Sequence, residues 1–391
     1  MTIRSVGPGQ PYSTIGAAVG ASQDGDVLQI QAGTYTNDFA EINASITLQG
    51  VGGMVRVAAT VPPPDGKAAF TINDNATFDH FEISGVQVRD LNGAAFRLQA
   101  GDLTLQDCYI HDNQTGILTT DNPDATLTIL ESEFARNISS GSSPATGLSH
   151  GIYVNGIGRL TIDDSYFHDA STGHHIKSRA LETTITDSRI FDNAGTASYS
   201  IDLPNGGDVL IANNVIQQGA GSQNPFIIAF GEEGGIRPGS SLEVRDNVVV
   251  DDLPGGALLW NPASLPATLA GNDVFGLTAS ELASGPATIT GTTFLATRPT
   301  LDQSSPWAGG GTTQSGTGAA DTLSGGAGAD SIAGFAAPLV LSLLALAAGG
   351  VALPVVLLSA ATALAVLGLL AERWLMFAEA THTVTLYYAG R

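Results

Sequence analysis

Residues 172–180, with the sequence TGHHIKSRA, bring two histidines, a lysine and an arginine together in a chain with few positive charges. Lys177 is one of only two lysines among 391 residues, and 15 Lys and Arg stand against 37 Asp and Glu. Lysine and arginine can neutralise an anion, and histidine can transfer a proton near neutral pH. The segment is therefore either a site for proton transfer on an anion or a structural turn, depending on where each side chain points.

The composition limits the classes of partner. A formal net charge of −22 argues against nucleic acid, because phosphate binding needs clustered Lys and Arg. The single Cys108 excludes an internal disulfide framework and a zinc site built from several thiolates. The first ten residues contain no apolar signal region, so we do not expect classical secretion.

The middle of the chain repeats a pattern of alternating apolar and polar residues. Six copies begin 24, 33, 23, 26 and 33 residues apart, at residues 103–113, 127–137, 160–170, 183–193, 209–219 and 242–252. Repeats of this length indicate a solenoid, propeller or array, and the alternation indicates short strands. Asn recurs at the bends, where its side-chain amide can bond along a stack of coils.

On these repeats, residues 1–296 resemble the right-handed parallel β-helix superfamily of pectate-lyase-like proteins. Residues 7–35 resemble the capping segment common in that group, with a short helix expected at residues 15–21. The resemblance implies an all-β fold, a right-handed parallel β-helix over residues 1–305. Polysaccharide lyases of this superfamily use Lys and Arg on an exterior strand face, and some recruit calcium.

Each coil is expected to contain a second strand, aligned on an inward apolar anchor residue. The anchors are Ile117, Ile152, Ile176, Ile201, Ile228 and Leu259. Because side chains alternate across a strand, the residues one before, one after and three after each anchor should face outward. The outward sets are then Gly151, Tyr153 and Asn155; His175, Lys177 and Arg179; and Ser200, Asp202 and Pro204.

With coils about 4.8 Å apart, Tyr153, Lys177 and Asp202 should form one exterior column, with His175 and Arg179 beside Lys177. Two inserted loops, at residues 139–149 and 220–241, flank this column and would wall a groove. We therefore expect substrate contacts from the outward-facing Asn155 and, in the second loop, from Glu232 and Glu233.

The predicted column has the groups that β-elimination on a uronic-acid polysaccharide requires. Arg179 would clamp the carboxylate, Lys177 or Tyr153 would abstract the C5 proton, and His175 or Tyr153 would protonate the leaving oxygen. Asp202 beside Lys177 should keep the lysine charged, which favours Tyr153 and His175 for proton transfer. The leading prediction is a polyuronate lyase or epimerase.

Three other interpretations remain open for this face. Hydrolysis needs two or three clustered carboxylates, and the column offers only Asp202, with Glu232 and Glu233 from the loop. The protein could instead be a noncatalytic carbohydrate-binding or surface β-helix. The charges could also form a solvated ladder that only maintains the register of the coils.

Residues 325–333, GGAGADSIA, match the nonapeptide G-G-x-G-x-D-x-U-x, and residues 316–324 form a degenerate copy. They resemble the calcium-binding repeats of proteins exported by type I secretion, to which mannuronan epimerases likewise join a β-helix. The resemblance implies Ca²⁺ at Asp321 and Asp330 and export without a signal peptide. Each ion is shared between successive turns, so these two copies are too few to close a site.

The C-terminal tail differs in character from the rest of the chain. Residues 331–370 carry no charge and could form two membrane spans of about 20 residues each. Residues 335–391, especially AERWLMFAEATHTVTLYY, resemble the end of the membrane anchor subunit of dimethyl sulfoxide reductase. We therefore expect a Gly-rich linker at residues 306–334 and a transmembrane helical hairpin at 335–391. The hairpin would anchor the β-helix in a membrane or arise from an accidental gene join. As a further alternative, the tail resemblance implies that the protein is a membrane-anchor component of a dimethyl sulfoxide reductase-like complex.

Overall fold

A computed structural model of the protein describes residues 1–137 and 150–305. The first predicted groove loop, at residues 139–149, lies outside the described residues. So do the linker and tail, at 306–334 and 335–391, with the predicted calcium ligands Asp321 and Asp330. In the described ranges, no helix is long and apolar enough to cross a membrane.

The described residues form 31 short strands, one α-helix and one 3-10 helix. The helix α1 is Ile15–Gly20, and the 3-10 helix is Ala279–Glu281. The strands are β1 (Ile3–Val6), β2 (Val27–Thr36), β3 (Ala40–Ile42), β4 (Ile46–Ala58), β5 (Ala68–Ile72), β6 (Ala76–Asp79), β7 (Phe81–Ser84), β8 (Ala94–Leu98), β9 (Leu103–Gln106), β10 (Tyr109–His111), β11 (Thr115–Thr119), β12 (Asn122–Leu130), β13 (Glu133–Ala135), β14 (Ile152–Val154), β15 (Ile157–Asp163), β16 (Tyr166–His168), β17 (Ile176–Ser178), β18 (Glu182–Thr186), β19 (Arg189–Phe191), β20 (Ile201–Leu203), β21 (Asp208–Ala212), β22 (Val215–Gln218), β23 (Phe226–Phe230), β24 (Ser241–Arg245), β25 (Val248–Asp251), β26 (Ala257–Trp260), β27 (Ala267–Ala270), β28 (Asp273–Phe275), β29 (Ala283–Ser284), β30 (Ala287–Thr290) and β31 (Thr293–Phe294).

Each strand pairs in parallel with the equivalent strand of the next coil, as the repeat predicted. In the described ranges the strands form a 21-stranded sheet and a ten-stranded sheet, the latter in the order β29-β26-β23-β20-β17-β14-β11-β8-β5-β3. The predicted inward anchors pair in order, with Ile152 opposite Ile176 and Ile176 opposite Ile201. All six predicted anchors are buried in one continuous hydrophobic core. The prediction of a parallel β-helix is therefore confirmed.

The tight turns between the two strands of each repeat copy use residues that tolerate a positive φ. Asp107, Asp164, Asp187 and Asp246 have φ values of 53°, 43°, 50° and 56° at equivalent places in their coils. Asp and Asn are the non-glycine residues that adopt this conformation most readily. The repeat therefore places an acidic or amide side chain at each of these bends.

Asparagine ladders connect the coils, as expected from the Asn positions. The side chain of Asn113 donates to Asn137 at 3.1 Å, and Asn214 donates to Asn247 at 3.0 Å. Asn247 continues its ladder to Asn272 at 2.9 Å. All five are buried, so these bonds satisfy polar groups at the corners of the coil stack.

The helix α1 covers the N-terminal end of the core, in agreement with the predicted cap. Its buried residues are Ile15, Ala18 and Val19. The Asp38 carboxylate accepts from the backbone N–H groups of Ile15 at 2.6 Å and Gly16 at 2.9 Å. A carboxylate at a helix N-terminus satisfies free donors and complements the helix dipole, which holds this short helix in place.

Candidate functional site

The ten-stranded sheet brings Tyr153, Lys177 and Asp202 into one column on its outer face. Tyr153 is in register with Lys177, and Lys177 with Asp202. The three residues lie in β14, β17 and β20, each directly after the buried anchor of its strand. The predicted column is therefore present in the fold.

A network of ion pairs connects this column to the loop that follows β23. Lys177 Nζ donates to Asp202 Oδ2 at 2.6 Å and to Glu233 Oε1 at 3.0 Å. Arg179 Nη2 donates to the other oxygen, Glu233 Oε2, at 2.7 Å. One carboxylate thus bridges both cations, although 54 residues separate it from Arg179 in the chain.

Tyr153 completes the cationic part of the site. Its hydroxyl accepts from Arg179 Nε at 3.4 Å. Lys177 Nζ and the guanidinium carbon of Arg179 each lie 5.8 Å from the centre of its ring. Cations at this distance from an aromatic ring are attracted to it, so the tyrosine helps to hold both side chains over the sheet.

Both cations remain charged at neutral pH. Burial lowers the pKa of Lys177, but Asp202 and Glu233 outweigh it, and the pKa is raised above its ordinary value. The pKa of Arg179 is also raised, mainly because Glu233 and Tyr153 outweigh its burial. Burial raises the pKa of Glu233, but hydrogen bonds and charge from Lys177 and Arg179 lower it overall. Lys177 is therefore an ammonium ion, suited to neutralising charge and unsuited to acting as a base.

Glu232 is a protonated acid in this site. Burial, together with a hydrogen bond and the negative charge of Asp202, raises the pKa of Glu232 to about 9. Glu232 Oε2 and Asp202 Oδ1 are buried, and neither accepts a hydrogen bond from the described residues. Because two ionised carboxylates repel each other, this environment favours a proton on Glu232.

The prediction that His175 faces outward beside Lys177 is wrong. His175 is only 1% exposed, and its Nε2 lies 2.8 Å from Oδ1 of the buried Asp192. The other oxygen of Asp192 accepts from the backbone N–H of Gly219 at 2.9 Å. His175 is therefore part of a buried polar cluster where the chain enters the ten-stranded sheet.

His174 takes the position beside Asp202 instead. Its Nε2 lies 3.1 Å from Asp202 Oδ2, and its Nδ1 accepts from the backbone N–H of Tyr199 at 3.1 Å. The acceptor role of Nδ1 places the proton on Nε2. Burial, with the charges of Lys177 and His175, lowers the pKa of His174 well below its ordinary value, so its ring is neutral.

The exchange of the two histidines has a backbone cause. In other coils the residue directly before the anchor is also buried in the core, as Ala69, Ala95, Ile227 and Leu258 show. Two consecutive residues then face inward, and strict alternation fails at this point. The residue two before the anchor faces outward instead. The apolar side chains at these four positions were a signal in the sequence that His175 would be buried.

Asn155 is engaged in the coil stack. Its backbone N–H donates to Thr119 Oγ1 at 2.8 Å, and its side-chain amide donates to the Thr119 carbonyl at 2.6 Å. The side-chain oxygen of Asn205, absent from the predicted set, accepts from Arg179. Asn155 is therefore hydrogen-bonded to the neighbouring coil, and Asn205 helps to position Arg179.

A group of side chains able to bind a metal lies elsewhere, at a corner of the 21-stranded sheet. Ligand atoms of Asp79, His80 and Asp107 lie within 4.8 Å of one another. His80 also pairs with the neighbouring Asp79. These residues do not belong to the Lys177 site, which we define as Tyr153, His174, Lys177, Arg179, Asp202, Glu232 and Glu233.

Comparisons with known proteins bear on the fold. A family model described as "Right handed beta helix region" matches residues 137–274, the segment that contains the Lys177 site. The structure of pectate lyase Pel9A aligns with a TM-score of 0.50 at 15% identity, covering 75% of this chain and 78% of that one. No curated protein sequence matches the chain significantly.

Two further solved structures align with lower scores and carry no separate argument. A pectin methylesterase from Aspergillus niger has a TM-score of 0.42 at 15% identity, covering 78% of this chain and 94% of that one. The PL6 family alginate lyase AlyGC has a TM-score of 0.38 at 18% identity, covering 75% and 40%. With the family model and the pectate lyase, the coil stack described above is a right-handed parallel β-helix.

Proposed function

We propose that the protein is a polyuronate lyase or epimerase that acts on the outer face of the ten-stranded sheet. One observation carries the proposal: two charged cations, a phenol and a protonated carboxyl group converge on this face. Abstraction of the C5 proton of a uronic acid needs neutralisation of the carboxylate, a base and, for elimination, an acid. The Lys177 site supplies a residue for each requirement.

Lys177 and Arg179 would neutralise the carboxylate of the sugar. Both cations already hold a carboxylate, Glu233, at hydrogen-bond distances of 3.0 and 2.7 Å. Binding the substrate carboxylate in the same way withdraws electrons from C5 and stabilises the carbanion that forms there. A guanidinium and an ammonium in fixed positions need no reorganisation during the reaction.

Tyr153 would act as the base. It lies on the outer face, and its hydroxyl accepts from Arg179 Nε. To accept the C5 proton, Tyr153 must react as the phenolate, after its own hydroxyl proton has been released to water. The positive charge of Arg179, whose Nε donates to this oxygen, stabilises that phenolate. His174 is less suited, because Tyr199 N–H and Asp202 occupy both of its ring nitrogens.

Glu232 would replace His175 as the acid. With a pKa of about 9 it carries a proton at neutral pH and can deliver it to the leaving oxygen at C4. In an epimerase the C4–O bond stays intact, and C5 receives a proton from the opposite side. Both reactions share the first step.

Hydrolysis fits this geometry less well. It needs a second carboxylate that contacts water or the sugar. Asp202, the partner of Glu232, is only 1% exposed and is occupied by Lys177 and His174. Glu233 is exposed, but in this conformation one of its oxygens bonds Lys177 and the other bonds Arg179, so neither is free to activate water.

Noncatalytic glycan binding is the second candidate, and exposed aromatic rings favour it. Phe226 and Trp260 stack with ring centres 5.5 Å apart, and Tyr199 lies 6.4 Å from Trp260. All three are partly exposed; Phe226 and Trp260 lie in β23 and β26 of the ten-stranded sheet, and Tyr199 lies just before β20. Aromatic faces offer an apolar surface against which sugar rings pack.

The test uses the full chain with polygalacturonate and alginate. Ultraviolet absorbance of the unsaturated product reports elimination, and C5 deuteration in D₂O, followed by NMR, reports epimerisation. Tyr153→Phe should abolish both. Tyr109→Phe is a matched control, because Tyr109 also bonds an arginine, Arg136, at 3.1 Å, but lies in the 21-stranded sheet. Binding without either product would sink the enzyme proposal and favour the glycan-binding module.

A further inference from the structure

The two cations of the Lys177 site are covered from the solvent side by a carboxylate of the protein itself. The Glu233 side chain is 44% exposed, whereas those of Lys177 and Arg179 are 10% and 17% exposed. Each oxygen of Glu233 bonds a different cation. This is the arrangement in which a uronate carboxylate would bind.

The loop that carries Glu233 is anchored on one side and open at its tip. Arg237 N–H donates to the Asn205 carbonyl, and Arg237 Nη1 donates to the Ala180 carbonyl, both at 3.1 Å. Ile236 packs against the core. By contrast, a Cβ added at Gly234 or Gly235 would meet no atom within 4 Å.

The tip is a glycine-rich turn in which the Gly234 N–H donates to the Gly231 carbonyl at 3.2 Å. Gly231, Gly234 and Gly235 have φ values of 78°, 74° and 64°. The hydrogen bond from Asn205 Nδ2 to the Gly234 carbonyl, at 3.1 Å, is exposed. A few backbone rotations at these glycines can move Glu233 while the anchored part of the loop stays in place.

The two carboxylates of Lys177 differ in how easily they can leave. Asp202 is buried, lies in strand β20 and also contacts His174. Glu233 is exposed and lies in the open tip. When Glu233 leaves, Lys177 keeps Asp202, whereas Arg179 loses the only carboxylate with which it forms an ion pair in the described residues.

We propose that Glu233 is an internal competitor that occupies the carboxylate position of the substrate in the free protein. An anionic sugar displaces it by forming the same two bonds, and a neutral sugar cannot. Only molecules with an open tip can bind the sugar. The apparent affinity is therefore the intrinsic affinity multiplied by the fraction of molecules in which the tip is open. The identity of the ligand as a uronate rests on the proposed function above.

The experiment measures binding, so it does not depend on turnover. Oligogalacturonates and oligomannuronates, each as the free acid and as the methyl ester, are titrated calorimetrically into full-length wild type, Glu233→Ala and Glu233→Gln. We expect both variants to bind a free-acid oligomer about tenfold more tightly, and the methyl esters with unchanged affinity. Glu182→Ala is the control, because Glu182 also pairs with an arginine, Arg159, but on the other sheet.

Each result has one interpretation. Equal or weaker binding of the free acids by both Glu233 variants overturns the proposal, as does an equal gain for the methyl esters. Absence of binding of either oligouronate to every variant overturns it as well. If the free acids gain affinity but no product forms, the proposed enzymatic function fails and the competitor role stands. If the wild type cleaves the polymer but the Glu233 variants gain no affinity for the free acids, the enzymatic function stands and the competitor role fails.

Discussion

Nε2 of His174 lies 3.1 Å from Oδ2 of Asp202, the same oxygen that accepts from Lys177 at 2.6 Å. Burial, together with Asp202, also raises the pKa of Glu232 to about 9. A single buried carboxylate therefore organises an ammonium ion, a neutral imidazole and a carboxylic acid on the outer face of the sheet. The first prediction concerns the removal of this carboxylate.

Asp202→Asn should destabilise the protein by about 3 kcal/mol, because it leaves the charge of the largely buried Lys177 with only Glu233. The midpoint of urea unfolding measures the effect. Glu182→Gln removes an exposed ion pair and should cost at most about 1 kcal/mol. Equal effects of the two substitutions would contradict the central position of Asp202.

Glu232 should set the alkaline limit of activity. Its acid form is needed and its pKa is about 9, so kcat/KM should fall as the pH rises through about 9. Glu232→Gln should lower the elimination rate about 100- to 10,000-fold and remove this limb from the pH profile. A limb that persists in the variant would assign the titration to another group.

The same group should make stability depend on pH. The pKa of Glu232 in the folded protein is about 9, above its ordinary value of 4.5. Its stabilising contribution is therefore complete below about pH 4.5 and is lost as the pH rises towards 9. The difference in unfolding midpoint between wild type and Glu232→Gln should change across this range, and a constant difference would refute the assignment.

His175 should contribute to the stability of the fold and not to catalysis. His175→Ala leaves Asp192 buried without its imidazole partner, which should cost about 1–3 kcal/mol. We expect the variant, assayed well below its melting temperature, to keep kcat/KM within about twofold. His174→Ala should lower kcat/KM more, because His174 contacts Asp202 directly. The reverse order would restore His175 as a proton donor.

His168 on the 21-stranded sheet should add a second pH dependence. Its Nε2 lies 3.0 Å from Glu133 and its Nδ1 2.5 Å from Asp169. Burial lowers the pKa of His168, but these carboxylates outweigh it and raise the pKa above 6.5. The stabilisation is complete below about pH 6.5 and lost as the pH rises through the raised value. His168→Gln should therefore destabilise the protein more at pH 6 than at alkaline pH, as melting temperatures would show.

We also predict that the C-terminal tail inserts into a membrane. Full-length protein should sediment with membranes if residues 335–391 form a hairpin, and a chain ending at residue 334 should not. Equal distribution of the two chains between membrane and supernatant would argue against an anchor.

The repeat pattern predicted the fold because every coil satisfies the same local requirements. Alternating apolar residues face one core, and the parallel register places equivalent residues of neighbouring coils side by side. For that reason the sequence alone predicts that Tyr153, Lys177 and Asp202 lie in one column, as their register in the sheet confirms. The asparagine ladders followed from the same alignment.

The orientation of the two histidines could not be obtained by counting residues. Alternation holds within a strand, but the chain enters the ten-stranded sheet with two consecutive inward residues, as at Ala69 and Phe70. Because of this one-residue shift, His175, the predicted proton donor, is buried, and His174 lies beside Asp202 instead. The apolar residues at this position in other coils carried the information, although the alternation rule did not use it.

By itself, the sequence determined the stacked coils, the exterior column and the scarcity of positive charge that made residues 172–180 stand out. Tertiary structure alone decided which carboxylate is an acid and which an ion-pair partner. Glu232 and Glu233 are adjacent in the chain, yet burial beside Asp202 protonates the first, and Lys177 and Arg179 keep the second ionised. The pKa of a carboxyl group depends on burial and nearby charge, which the folding of a distant loop supplies.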